Sequence, residues 1–161
     1  MKTILEKYAD LLVHYCMEIK PGDKLFIKTT ILAEPLLREV FRSAIRAGAT
    51  VDTELEFREQ TRIFFQEAQP AQLSRVSPLY QLAMETYDAY VHIRAPFNLR
   101  ESNGSTAEKT QIHQQAYQKA SDAYFRRTAT RELKRNLCQF PTQASAQKAG
   151  LSLEEYEHFV F

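Results

Sequence analysis

At 161 residues the chain has the length of one ordinary domain, enough to bury roughly two-thirds of the surface its unfolded form exposes. Hydrophobic residues at 44% and charged residues at 25% are ordinary globular usage, which argues against a disordered tail or a membrane protein. The balance of 21 Lys+Arg against 20 Asp+Glu gives no global electrostatic reason to expect nucleic acid or an anionic membrane as partner.

Ile4, Tyr8, Leu11, Leu12, Tyr15 and Ile19 recur at helical spacing and predict an amphipathic helix over residues 1–19, with Glu6, Asp10 and Glu18 interrupting any signal-peptide core. Pro21-Gly22-Asp23 stops it with a tight turn. Leu25-Phe26-Ile27 then predict a strand over residues 24–30 buried on both faces. Leu36, Leu37, Val40, Phe41, Ala44 and Ile45 line a second helix, with Pro35 in its first turn and Gly48 closing it. Residues 50–57 alternate, with Val51, Thr53, Leu55 and Phe57 on one face and Asp52, Glu54 and Glu56 on the other, as in a half-exposed edge strand. Strand, helix, strand with short connections is a right-handed βαβ unit.

Ile63-Phe64-Phe65 mark a short helix, and another begins near Pro70 with Leu73, Val76, Leu79, Leu82 and Ala83. Tyr90, Val91 and Ile93 form a third strand over residues 89–95, ended by Pro96. In the polar loop 98–105, Asn103 and Gly104 favour positive backbone angles, and Ser105 with Glu108 has capping-box spacing. A long helix follows with the narrow face Ile112, Ala116, Ala120 and Ala123, reaching about Arg131 before a fourth strand over 133–140. A short helix over 142–149 is closed by Gly150, and Ser152 with Glu155 cap a last helix that leaves Tyr156, Phe159, Val160 and Phe161 unburied. The pattern predicts an α/β fold, a three-layer domain around a mostly parallel sheet of about four strands. Its core spans about residues 1–140, and the helices of 141–161 lead onward.

Chemistry is sparse. The four histidines, His14, His92, His113 and His158, form no His-Glu-x-x-His motif. His92 reads as a structural residue within a strand, and His14 and His113 as helix-surface residues. Glu155 and His158 have the i, i+3 spacing of carboxylate-bridged metal sites but occur once, on an acidic helix that reads as a solvated face. Cys16 and Cys138 lie far apart in apolar segments and read as buried, reduced thiols of a cytoplasmic protein. No Gly-x-Ser-x-Gly elbow exists, and Thr29-Thr30-Ile31-Leu32 stand where a dinucleotide site wants glycines. Lys119, Arg126, Arg127, Arg131, Lys134 and Arg135 cluster around Tyr124 and Phe125, which reads as a solvated helix end offsetting the macrodipole rather than a nucleic-acid contact.

Tyr8-Ala9-Asp10-Leu11-Leu12-Val13 followed by Glu18-Ile19-Lys20-Pro21-Gly22-Asp23-Lys24, then Ala33-Glu34-Pro35-Leu36-Leu37-Arg38-Glu39-Val40 and Ala47-Gly48-Ala49, resemble the opening of the metalloaminopeptidases similar to aminopeptidase T and aminopeptidase S, the thermophilic metalloprotease-like group. Phe140-Pro141-Thr142 with Ala146-Gln147-Lys148-Ala149-Gly150-Leu151-Ser152-Leu153-Glu154-Glu155-Tyr156-Glu157-His158-Phe159-Val160 resembles that family's hallmark segment. The chain departs from it at Gln143, where a second proline is common, and in having no tryptophan.

The resemblance implies a two-domain exopeptidase that removes amino-terminal residues from peptides with two divalent metals, zinc, cobalt or manganese, and that forms a homodimer. It implies no nucleic-acid or membrane partner. The metal ligands lie in the family's downstream domain, so residues 1–161 carry none of them and the expectation is an amino-terminal domain inactive alone. The loop after the third strand, with Asn98, Arg100, Ser102 and Asn103, is the expected cavity-facing segment, because ligands in open α/β sheets gather at the carboxyl edge. The alternative is a stand-alone, non-catalytic binding or interaction module on the same fold.

Overall fold

In a computed structural model describing residues 1–161, the side chain of Lys119 excepted, four strands form one sheet. They are β1 (Lys24–Thr30), β2 (Thr50–Glu56), β3 (Ala89–Arg94) and β4 (Lys134–Gln139). Their order is β2-β1-β3-β4, and every neighbouring pair is parallel. The helices are α1 (Ile4–Asp10), α2 (Glu34–Arg46), α3 (Gln60–Glu67), α4 (Pro70–Leu73), α5 (Pro78–Thr86), α6 (Ala107–Ala129), α7 (Gln143–Ala149) and α8 (Leu153–Val160). Parallel neighbours require crossovers, and these fall on both faces. Ala9 of α1 and Leu36, Val40 and Ala44 of α2 pack on Leu25, Ile27, Val91 and Ile93. On the opposite face Ala83 and Met84 of α5, with Leu133, meet Phe26 and Tyr90. The expected three-layer α/β architecture is borne out, with β2 at an edge.

The first helix differs from its expected course. After α1 the chain enters a π-helical turn, Leu11–Cys16, in which Met17 N donates to Leu12 O at 3.0 Å. The wider turn rotates the side chains beyond α1, so Val13 and Met17 enter the core while Tyr15 and Cys16 face outward. Cys16 is therefore exposed rather than buried, whereas the Cys138 thiol is buried and pushed up to about 12 by that burial. Both cysteines are free.

The single helix expected from Pro70 is two. Ser77 is extended before Pro78, as a residue preceding proline prefers, and its hydroxyl caps α5 by accepting from Tyr80 N. Leu79 and Leu82 are exposed in consequence, and Met84 takes the buried position. Asn103 and Gly104 sit in a right-handed 3-10 turn, Glu101–Gly104, instead of adopting positive φ. The cap of α6 is Thr106, which accepts from Lys109 N, while Ser105 N donates to Ser102 O and closes the preceding turn.

The alternation of β2 breaks midway: Val51 packs on the core and Asp52 is exposed, but beyond Thr53 the acidic side chains are the enclosed ones. Glu54 and Glu56 flank Lys28 of β1 at 3.1 and 3.0 Å, and Leu55 and Phe57 stay exposed. Burial disfavours the Lys28 charge, yet Glu56 and Glu54 outweigh it and hold the ammonium above its ordinary range. Glu54 Oε2 is buried with no hydrogen-bond partner.

The expected Ser152–Glu155 capping box caps α8, and Gly150 has φ 72°. The terminal aromatics are only partly free: Phe161 packs edge-on against Tyr8 and Phe140, while Phe159 is 79% exposed.

Lys134 of β4 reaches Asp23 Oδ2 at 2.6 Å and ties the sheet to the turn before β1. Burial works to raise the Asp23 carboxyl, but Lys134 and the Lys20 amide outweigh it and hold it below its ordinary value. A carboxyl lowered in the folded state contributes stability that is present above its unfolded pKa and is lost as pH falls through the folded one. Asp23→Asn is therefore expected to cost about 1 kcal/mol at neutral pH, with the gap to the parent closing in acid. Urea unfolding across pH checks this; a gap that widens in acid would remove the ion pair as its cause.

Candidate substrate-facing cleft

Crossover α2 lies on one face of the sheet and crossover α3–α5 on the other, so the chain reverses direction between β1 and β3, where open sheets place ligands. The crevice itself is filled by the protein's own hydroxyls. Thr29 donates to Ile93 O at 2.8 Å and Thr30 to Ala95 O at 2.6 Å. The free space is displaced outward, to a cleft of about 240 Å³ between the segments that leave β2 and β3.

After β2, Phe57 N donates to Gln60 Oε1, and Glu59 at φ 66° turns the chain into α3. A left-handed glutamate carries backbone strain of about 1–3 kcal/mol, the kind of cost that concentrates at functional sites. It sets Arg58 and Arg62 on the cleft wall. Arg62 pairs with Glu59 and donates to Gln66, both at 2.8 Å. After β3, Pro96 ends the ladder and Phe97 lies beneath the Arg58 guanidinium at 5.1 Å. Asn98 Oδ1 accepts from Arg100 N at 2.9 Å, and Glu101 Oε1 accepts weakly from Glu59 N at 3.4 Å, linking the two segments.

Of the four expected cavity residues, Asn98 and Arg100 line this cleft. Ser102 and Asn103 do not; they are exposed on the outside of the 3-10 turn. The sequence pattern alone did not single out Arg58, Arg62 and Phe97. Arg-Glu-x-x-Arg after a strand was the available signal for the first two, and nothing local marks Glu59 as left-handed.

Other spaces are larger. One, about 970 Å³, is an open groove beside α6 lined in part by Ala116, Ala120 and Ala123, so the small-residue stripe is only partly packed. Another, about 490 Å³, lies over Lys28, Glu54 and Glu56. His113 borders it and is no surface residue: its Nδ1 lies 3.2 Å from Leu73 O, and Phe64, Phe65 and Tyr117 surround the ring. His92 is half-buried on β3, and burial lowers its pKa, which favours the neutral imidazole. His14 sits beside Asp10 and Ser43 on an exposed helix face. Glu155 spends its carboxylate on the Ser152 cap.

Three cations of the basic cluster make structural contacts, and the Lys119 side chain lies outside the described residues. Arg127 donates to Met84 O and Tyr87 O, Lys134 holds Asp23, and Arg135 donates to the Tyr124 hydroxyl. Among the described residues no group of three or more His, Cys, Asp or Glu could hold a metal ion, and no helix is long and apolar enough to cross a membrane.

A solved structure of wild-type AmpT from Thermus thermophilus superposes with a TM-score of 0.77 over 97% of this chain and 41% of that one, at 21% identity, which establishes the shared fold. Aminopeptidase 2 of Geobacillus stearothermophilus is 34% identical over 97 residues, 57% of this chain and 24% of that protein. The chain thus spans well under half the length of either. The sequence pattern of the thermophilic metalloprotease (M29) family matches residues 1–161 from end to end, and the chain belongs to that family.

Proposed function

We propose that this chain is the amino-terminal, non-catalytic α/β half of a metal-dependent aminopeptidase, and that it walls the substrate cavity and restricts entry to short peptides. The observation that carries this reading is family membership across all 161 residues in a chain whose described residues include no ligand set fit for a metal. The two divalent ions, zinc, cobalt or manganese, belong to a downstream segment that also supplies homodimer contacts. Metals bound there polarise the scissile carbonyl and generate hydroxide from water. The residues of this chain do not fit that group, and no step of the hydrolysis is assigned to them. Two free cysteines suit a cytoplasmic setting.

The purified chain is expected to bind no stoichiometric metal and to leave amino-acid amides intact. Stoichiometric metal together with turnover would overturn the non-catalytic assignment. In the full-length enzyme, deletion of residues 98–105 is expected to shift the ratio of kcat/KM for long against short peptides on the order of tenfold toward the long ones. An unchanged ratio would remove this loop from the cavity wall.

A further inference from the structure

We infer that the cleft bounded by Arg58, Arg62 and Arg100 is a subsite for the α-carboxylate at the far end of a short peptide; the inference rests on reading this edge of the sheet as a substrate-cavity wall. Three arginines from two separate segments line one small space against two glutamates, Glu59 and Glu101, so positive charge is in excess. The three are not equivalent. Arg62 is fixed by Glu59 and Gln66 and forms a rigid side of the cleft. Arg58 is held over the Phe97 ring, its guanidinium carbon 5.1 Å from the centroid, by a cation–π contact that involves no carboxylate or carbonyl acceptor. Arg100 follows the Asn98 turn, and neither Arg58 nor Arg100 forms an ion pair among the described residues.

Guanidinium groups with free N–H edges match the two oxygens of a carboxylate in a planar, bidentate geometry that lysine does not reproduce. A volume of about 240 Å³ admits a terminal carboxylate with its last residue or so and is small for a larger ligand. The site also lies at the carboxyl edge of the sheet, on the two segments that the Glu59–Glu101 contact joins. A carboxylate held here fixes the distance between the two ends of a bound peptide. A longer peptide has no carboxylate at that distance and forgoes the contact, so the same residues that bind a short substrate discriminate against a long one.

The test uses N-acetyl-dialanine and its carboxamide, titrated separately into the purified chain while the arginine Nε–Hε signals are followed by NMR. The free acid is expected to shift the signals of Arg58, Arg62 and Arg100 saturably, with the amide weaker by about fivefold or more, the scale set by solvent-exposed ion pairs. Arg58→Gln combined with Arg100→Gln is expected to weaken the acid by a similar factor while the rest of the spectrum stays in place. Equal responses to acid and amide, or unchanged binding by the double variant, would overturn the subsite. Inorganic phosphate shifting the same signals at lower concentration than the acid would reassign it to phosphate and overturn the peptide assignment. If loss of residues 98–105 leaves length selectivity intact while the acid still titrates these arginines in the parent chain, the cavity-wall reading and the discrimination by length both fail, and only carboxylate binding by the cleft stands.

Discussion

Lys28→Met is expected to lower folding stability by about 3 kcal/mol at neutral pH, because it leaves Glu54 and Glu56 facing each other in a half-closed space with no cation between them. Removing one partner of a buried ion pair costs about 3–5 kcal/mol, and the 34% exposure of the Glu56 side chain places this case at the lower end. The loss has a pH signature. Without Lys28 two like charges are held close together, and acid, by neutralising them, removes their repulsion. The variant should therefore regain stability relative to the parent in acid. Adding Glu54→Gln and Glu56→Gln to Lys28→Met should recover most of the deficit at neutral pH, since neutral side chains need no counter-charge. Denaturant unfolding at acid and neutral pH reads both outcomes, and a deficit independent of pH would assign the loss to packing.

Gly48→Ala is the second large effect, also expected at about 3 kcal/mol. Gly48 has φ 86°, and an added Cβ would stand 3.1 Å from both the Cα and Cβ of Pro21, on the turn that leads into β1. Positive φ and close approach both demand glycine here, and Gly22 N donates to Gly48 O at 2.9 Å across the same junction. Gly22 supplies the control. Its φ is 89°, but an added Cβ would meet nothing within 4 Å, so Gly22→Ala should cost only the left-handed strain, about 1 kcal/mol. Equal losses at the two positions, measured as urea midpoints at constant m-value, would mean that the Pro21 contact contributes nothing.

The layered fold was legible because its signals are local: a continuous apolar run for β1, a 3.6-residue stripe for α2, and Gly150, Ser152 and Glu155 punctuating the last two helices. What escaped depends on partners distant in sequence or on a change of helical pitch. The π turn at Leu11–Cys16 rephases a helix whose spacing looked regular, and so the exposure of Cys16 was hidden. The enclosed face of β2 was read as its solvated face because Lys28, which stabilises the two glutamates, belongs to the neighbouring strand. The cleft was half legible. Asn98 and Arg100 follow a strand end that the pattern marks, whereas Arg58 and Arg62 lie some 40 residues earlier and join them only through parallel pairing of both strands with β1. The capping pair Thr3 and Glu6 was in plain spacing and went unread.

The strand order also governs how the chain assembles. Leu25 of the central strand pairs with Val51 on one side and with Ala89 on the other, separations of 26 and 64 residues. As the polypeptide leaves the ribosome amino end first, the β1–β2 ladder can close well before β3 exists, and α1 and α2 can already cover one face. The second backbone edge of β1 stays unpaired until about residue 94 has emerged and residues 60–86 have folded back over the sheet. An open edge flanked by Leu25 and Ile27 is a template for another chain. Substitutions that weaken α3 to α5 should thus reduce soluble yield during expression more than they reduce the equilibrium stability of protein that has already folded, because those helices set how long the edge is bare.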